Sequence, residues 1–515
     1  MKIKLPKDLK GVKFPQVLSI DMNNFDIDVF LPSLFFTILA QGKGKAKHTN
    51  DPKAIMQFID KLSTHPDLEG FDDVEGRRVL ERLVRTALIT TSGVGRSHAD
   101  EQITSIVPYS LLAHKPGFPV ESSRHRGADT FIYQALNEQL GAYDNLRQLV
   151  KDVFGRGVII GKAGELGGEY DGTTELDTLT RLSVAFLKGF EPVRPRLNRE
   201  NDIVGACPGL SKALATDLSC YLRIYHASMP IQAFTHYLLT LINFELFTYT
   251  LKLVHAVNTL VHDPATLPPA MHDPVVPSPP PIYIDFTGLA NGRSQEMARA
   301  CVRRDIEAYQ QFLSSNLLLR QLHKYVEDLK RLVRRKAVIE QTLQAGLTGP
   351  QYLQALLLLW QNPAIGSDIE AEARLDVDII FRENIDPDDE DSSMAQNQLE
   401  AIIATVESDV DQVVNLLVEG QRDDAIRHFI QWYWSTGGLN KDEGILRGSR
   451  QSRKSWRYAP TNELLAVLVQ VAAARLAPSQ QGHEGRGGIQ PIRLQEFLTF
   501  LDERFGIIVD HPPAP

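Results

Sequence analysis

The chain reads as a mainly α protein with a few short strands, an α+β arrangement spread over several domains. Three observations carry that expectation. Apolar residues recur at helical spacing in many windows. The runs that suit strands are short and bounded by glycine. Two stretches of unusual composition interrupt the pattern. At 515 residues the chain is also too long for one ordinary core.

The first interruption is Pro264 to Pro281, with eight prolines in eighteen residues. Proline lacks the backbone donor that a helix or a central strand needs, so an extended spacer is expected. The second is Arg382 to Ser393, RENIDPDDEDSS, whose like charges repel and favour an exposed loop. The expected divisions are a helical N-terminal region at 1–262 and a Pro-rich linker at 263–281. A middle region of a strand plus a long helix follows at 282–381, then an acidic linker at 382–393. The C-terminal module, helical with a basic loop, occupies 394–515.

Within the first region, Pro32 suits the first turn of a helix carrying Leu34, Phe35, Ile38 and Leu39. Val79, Leu80, Leu83, Val84, Ala87 and Leu88 recur at helical spacing. Short strands are expected at Val17 to Asp21 and Val158 to Ile160. Ile224 to Phe244 lacks Asp, Glu, Lys and Arg, but it holds His226, Pro230, Gln232, His236 and Asn243. A buried helix fits it better than a membrane span. The middle region opens with IYIDFTG, a strand ended by glycine. A helical pattern runs from Ser294 to about Ala345, and a short strand is expected at Val377 to Phe381. In the last region, helices are expected from Met394 to Val418 and from Asp423 to Trp434, the second ending before Gly437 and Gly438. Thr461 suits the N-cap of the next helix. Gly506 suits the C-terminus of the last, and GIIVD closes as a strand. Helices, a basic turn, another helix and a terminal strand are compatible with a winged-helix-like module.

Three scattered cysteines, Cys207, Cys220 and Cys301, make neither a disulfide framework nor a zinc site. That usage fits a reducing cytoplasm, and the lysine-rich N-terminus has no apolar core of a signal peptide. The net charge of -9 is unevenly placed. Ala364 to Asp391 carries eleven acids and two arginines, which accounts for all of it. A neutral body with one acidic segment leaves room for a basic face.

Motifs for catalysis are weak. Gly155 to Gly172 holds seven glycines, yet five residues separate Gly155 from Gly161, and Ala163 stands where a phosphate loop needs Ser or Thr. Glu165, Glu169, Asp171, Glu175 and Asp177 could bind magnesium or move protons, but no histidine is tied to them by spacing. Ser92, Ser97 and His98 lack a nucleophile-elbow frame. His226, His236, His255 and His262 lie on or near apolar helices and read as core or rim residues. No cofactor is implied.

Basic groupings are the stronger signal. Arg447 to Tyr458, RGSRQSRKSWRY, has five cations and no carboxylate. Arg447, Arg450, Arg453, Lys454 and Arg457 can contact phosphates; Trp456 and Tyr458 can stack on bases or anchor the loop. Lys330, Arg331, Arg334, Arg335 and Lys336 occupy about two turns of an expected helix, where 330/334 and 331/335 are i,i+4 neighbours and form a basic stripe. Like charges at i,i+4 cost helix stability, so an anionic partner is expected: nucleic acid, another protein, or the acidic segment of the same chain. Arg124 and Arg126 sit between a Pro/Gly turn and an expected helix, where they could meet a phosphate or simply form salt bridges.

The stretches ILRGSRQSRKSWRYAPTNELLAVLVQ and LQEFLTFLDERFGIIVD resemble the C-terminal parts of proteins from bacterial anti-phage defence islands. VPYSLLAHKPGFPVESSRHRGADTFIYQAL and IYIDFTGLANGRSQEMARACVRRDIEAY resemble a subunit of the methylation-associated defence systems. These segments cover about a fifth of the chain. The resemblance implies a cytoplasmic bacterial protein that works with a methyltransferase, ATPases and other subunits. It transfers no catalytic residue. The expectation is a non-catalytic recognition or scaffold subunit that contacts DNA or a partner through the basic clusters. The alternatives are an enzyme on nucleic acid or nucleotide, using the Gly/acid-rich loop, and a pure protein–protein adaptor.

Overall fold

The longest apolar runs of the sequence become helices that are buried on most sides. The computed structural model describes residues 3–42, 44–45, 59–60, 62–64, 69–91, 102–106, 111, 125–160, 168–176, 180–181, 184, 196–197, 205–273, 280–289, 291–343, 347, 349–385, 392–476 and 491–509. Among them are fourteen α-helices and five two-stranded ribbons, so the protein is mainly helical with a few short strands.

The first part holds α1 (Phe30–Leu39), α2 (Val74–Ala87), α3 (Ala128–Leu140) and α4 (Tyr143–Phe154). Pro32 does sit in the first turn of α1. Ribbons pair β1 (Gly44–Lys45) with β6 (Arg196–Leu197), β2 (Leu88–Thr91) with β3 (Gln102–Ile106), and β4 (Val158–Ile160) with β5 (Gly168–Tyr170), all antiparallel. The strand expected at Val17 to Asp21 is not formed. The Val17 and Leu18 amides both donate back to the Phe14 carbonyl, which makes a turn whose apolar side chains are buried.

Ile224 to Phe244 divides between two helices, α5 (Pro208–Tyr225) and α6 (Ile231–His262), with Pro230 at the start of the second. α6 is apolar on nearly all sides and buried along most of its length, as such a helix must be in water. No helix among the described residues is long and apolar enough to cross a membrane. The proline-rich stretch includes a turn at Pro269–Met271 that lies on α5 and α6, with Ala270 and Met271 buried.

Strand β7 (Ile282–Tyr283) then leads into α7 (Arg293–Leu329) and α8 (Val333–Thr342). The single helix expected from Ser294 to Ala345 is therefore broken at residues 330–332. The break removes Lys330 and Arg331 from helical register with Arg334 and Arg335, which relieves the like-charge spacing. α9 (Gly349–Gln361) and α10 (Pro363–Asn384) follow. Val377 to Phe381 is not a strand but the end of α10. Its apolar run is too short to reveal the period, whereas Ile365, Ile369, Ala373, Val377 and Ile380 are all buried along one helical face. Asn362 caps this helix by accepting from the Ala364 amide at 2.9 Å.

The helix expected from Met394 to Val418 is split into α11 (Ser392–Ile403) and the start of α12 (Asp409–Thr436). Ser408 caps α12, and α12 continues through Asp423 to Thr436 without the expected break. β8 (Leu446–Arg447) and β9 (Arg457–Tyr458) make a hairpin. Thr461 caps α13 (Asn462–Leu476), its hydroxyl oxygen accepting from the Leu464 amide at 3.1 Å. Gly506, at φ +73, ends α14 (Leu494–Phe505). The closing strand β10 (Ile507–Ile508) pairs in parallel with β7, far away in sequence.

Helices α6, α7 and α12 pack on one another, and the buried apolar side chains form one contiguous cluster. The N-terminal segment is tied across it. The Arg320 guanidinium donates to the carbonyls of Asp8, Leu9, Lys10 and Gly11, and Asn384 exchanges two 2.8 Å bonds with the Lys4 backbone.

Candidate functional site

The β8–β9 hairpin is built on the end of α12. Gly437 and Gly438 (φ +59) turn the chain, and the Ile445 and Leu446 amides both donate to the Gly437 carbonyl at 3.0 Å. Leu446 pairs with Tyr458 and Arg447 with Arg457. Gly448 has φ +148, and a Cβ there would lie 2.9 Å from both the Ser455 carbonyl oxygen and the Trp456 Cα. Only glycine allows the two strands to approach so closely. Asn440 clamps the same residue, accepting from the Gly448 amide at 3.1 Å and donating to its carbonyl.

Trp456 anchors this loop. It is 3% exposed, too little for a base to stack on it. Its ring stacks at 15° on Tyr433, and its Nε1 donates to the Ser449 carbonyl at 2.8 Å. Beneath it lies a buried polar network. The Tyr458 hydroxyl donates to Asp305 Oδ2 at 2.6 Å and meets the Tyr433 hydroxyl at 2.6 Å. Asp305 Oδ1 also faces His255 Nε2 at 2.9 Å and Arg304 Nε at 2.8 Å. Burial pushes both tyrosine hydroxyls well above their ordinary range, so they stay protonated donors.

The cations divide into two groups. Arg457 is held at the hairpin base by Asp285, Nε to Oδ2 at 3.1 Å. Arg450, Arg453 and Lys454 are exposed at the tip and Arg447 is half-buried; none of the four has a carboxylate partner among the described residues. A cavity of about 390 Å³ is lined by Asn440 together with Asp28, Lys441, Asp442 and Glu443 among others.

The second basic cluster is largely satisfied within the chain. Lys330 pairs with Glu327, Arg331 with Asp328 at 3.3 Å, and Lys336 with Glu340 at 3.8 Å. Arg335 pairs with Asp368 of the acidic segment, Nη2 to Oδ1 at 3.2 Å. Arg334 is exposed and has no carboxylate partner among the described residues.

Arg124 lies outside the described residues. Arg126 adopts φ +56 and turns toward the N-terminal segment, its Nε donating to the Asn24 carbonyl at 3.0 Å. Beside it His125 Nδ1 lies 2.9 Å from Asp129, whose other oxygen accepts from Ser33 and Thr37.

Of the acidic loop, Glu165 and Asp177 lie outside the described residues, as do Ser92, Ser97 and His98. Asp171 caps its own turn. The Thr174 hydroxyl and the Thr174 and Thr173 amides donate to it and hold its carboxyl below the usual range. Among the described residues no group of three or more His, Cys, Asp or Glu could hold a metal ion. The three cysteines are free.

Sequence reasoning missed Asp285, Asp305 and Tyr433, which fix the hairpin in place. Their hairpin partners lie 25, 153 and 172 residues away along the chain, and a local signal is a carboxylate inside an apolar run, as Asp285 is in IYIDF.

No curated protein and no solved structure matches the chain. Residues 7–515 match the family described as methylation-associated defense system protein MAD7. With that match covering nearly its whole length, the chain belongs to this family and is a component of a methylation-associated defense system.

Proposed function

We propose that this defence component is a non-catalytic recognition subunit that contacts nucleic acid through the tip of the β8–β9 hairpin. One observation carries the reading: Arg447, Arg450, Arg453 and Lys454 have no carboxylate partner among the described residues, on a loop held in place by a buried network. Cations left without internal partners on a rigid support suit phosphate contact, because little ordering entropy remains to be lost on binding. Arg457 and Trp456 support the loop rather than touch the ligand. The C-terminal helices with this hairpin would act as a winged-helix-like platform, with the hairpin as the wing. Lys330 to Lys336 is an auxiliary contact, with Arg334 the cation most available. The protein works in the bacterial cytoplasm beside other subunits of its system.

Binding to labelled duplex DNA across a salt series tests the reading. Wild type should bind with a steep negative dependence on salt, about 0.9 log units per phosphate contacted. Replacing Arg450, Arg453 and Lys454 with alanine should flatten that slope by roughly two to three contacts. Absence of salt-dependent binding by either form, to the duplex and to a single strand alike, would refute nucleic-acid recognition and make the hairpin a docking surface for a protein partner.

A further inference from the structure

Immediately beside the hairpin, the turn that follows β7 exposes two large apolar side chains. Phe286 is 45% exposed and Leu289 is 65% exposed. Neither sits on a floppy strand end. Asp285 Oδ1 accepts from the Thr287 and Gly288 amides at 3.2 and 3.3 Å and from the Thr287 hydroxyl at 3.0 Å. The Thr287 hydroxyl oxygen in turn accepts from the Leu289 amide. Gln295 accepts from the Asn291 amide at 3.2 Å, and Ser294 donates to the Ile284 carbonyl at 3.2 Å. The turn is thus held in a defined conformation that leaves both apolar groups in water.

Asp285 joins the turn to the hairpin. One carboxylate oxygen caps the turn and the other takes Arg457, while the Asp285 amide donates to the Tyr458 carbonyl at 2.8 Å. Phe286 follows Asp285 directly, and Lys454 stands three residues before Arg457. Chain geometry therefore keeps the apolar tip and the cationic tip within about 25 Å, with a rigid connection between them.

We infer that Phe286 and Leu289 form a base-contacting element of the same site, which makes its ligand a nucleic acid with unpaired bases. The inference rests on the hairpin reading and sharpens it. An aromatic ring gains by stacking on an unpaired base, whose face an intact duplex hides. The exposed hairpin cations Arg450, Arg453 and Lys454 supply the charge complementarity that selects a polyanion over an apolar protein surface. Trp456, the aromatic residue of the hairpin itself, is buried and cannot serve, so the stacking role falls to the neighbouring turn.

The test uses the full chain, labelled single-stranded oligothymidine and a labelled duplex. Phe286→Ala with Leu289→Ala should weaken single-strand binding about tenfold or more, with duplex binding unchanged. Phe286→Trp should keep single-strand affinity, since it preserves the ring. Equal binding of the single strand by wild type and the alanine variant overturns the inference. So does an equal loss for both nucleic acids. In either case the hairpin reading survives if the Arg450/Arg453/Lys454 variant still loses affinity. If no form binds either nucleic acid, both fail together.

Discussion

Tyr458 and Asp305, 153 residues apart in sequence, meet through a 2.6 Å hydrogen bond inside the core. The bond fixes strand β9, and with it the whole basic hairpin, to the middle of α7. Removing the hydroxyl in Tyr458→Phe leaves Asp305 with two of its three side-chain partners and deprives Tyr433 of its neighbour. A buried acceptor that loses a donor costs about 1–3 kcal/mol. The thermal unfolding midpoint should fall, and hydrogen exchange should quicken at residues 446–458 before it quickens in α6. Unchanged exchange in the hairpin would show that the network does not hold it.

Gly448 gives a second, local handle on the same loop. Gly448→Ala places a methyl group against Trp456 and the Ser455 carbonyl, at a φ that side chains rarely adopt. The expected cost is about 1–3 kcal/mol, together with displacement of the indole. Tryptophan emission should shift to the red, and DNA affinity should drop although no cation is removed. Native emission with native affinity would mean that the loop tolerates reshaping.

How far this organisation is legible in the sequence depends on the range of the forces involved. The caps at Thr461 and Gly506 are local chemistry and lie where the sequence places them. So do the strands at Val158–Ile160 and at the C-terminus, and the buried course of α6. Val377 to Phe381 misleads because a five-residue apolar run has no period of its own; only the spacing from Ile365 onward identifies the helix. The cations of the hairpin are visible as composition, but their inequality is not. Arg457 differs from Arg453 only because Asp285 arrives from 172 residues away. Whether Trp456 stacks or anchors is likewise decided by Tyr433, which belongs to another helix.

A third prediction concerns the buried charges under the last helix. Arg504 donates to Asp217 at 2.6 Å and to Glu245 at 2.8 Å, and Lys252 donates to the Arg504 carbonyl at 3.1 Å. Burial pushes the Glu245 carboxyl from its ordinary 4.5 up to about 8, against the lowering pull of Arg504. The folded state then binds a proton that the unfolded chain has released, so stability falls as pH rises between about 4.5 and 8. Burial lowers Lys252 to about 8 from 10.5, so its contribution changes in the separate window above 8, where stability rises with pH. Glu245→Gln keeps the neutral shape and should flatten the slope below pH 8. Denaturant midpoints at several pH values from 5 to 8 check this; an unchanged slope would assign the dependence to other groups.

The last prediction addresses the acidic segment and the second basic cluster. Arg335 meets Asp368 at 3.2 Å across α8 and α10, so one acid of the segment already covers one cation of the cluster. Deleting the segment would be a poor test, because α10 buries Ile365, Ile369 and Ile380 in the core and its loss would unfold the protein. Asp368→Asn removes the charge and keeps the shape. The pair is about one-third exposed on each side, so the cost in stability should be under about 1 kcal/mol. If the cluster contacts phosphates, freeing Arg335 should tighten DNA binding at low salt severalfold and steepen the salt dependence by roughly one contact. Arg335→Gln in the same background should cancel the gain. Should Asp368→Asn leave both affinity and salt slope as in wild type, the cluster serves only to join α8 to α10, and the hairpin is left as the basic surface that meets the ligand.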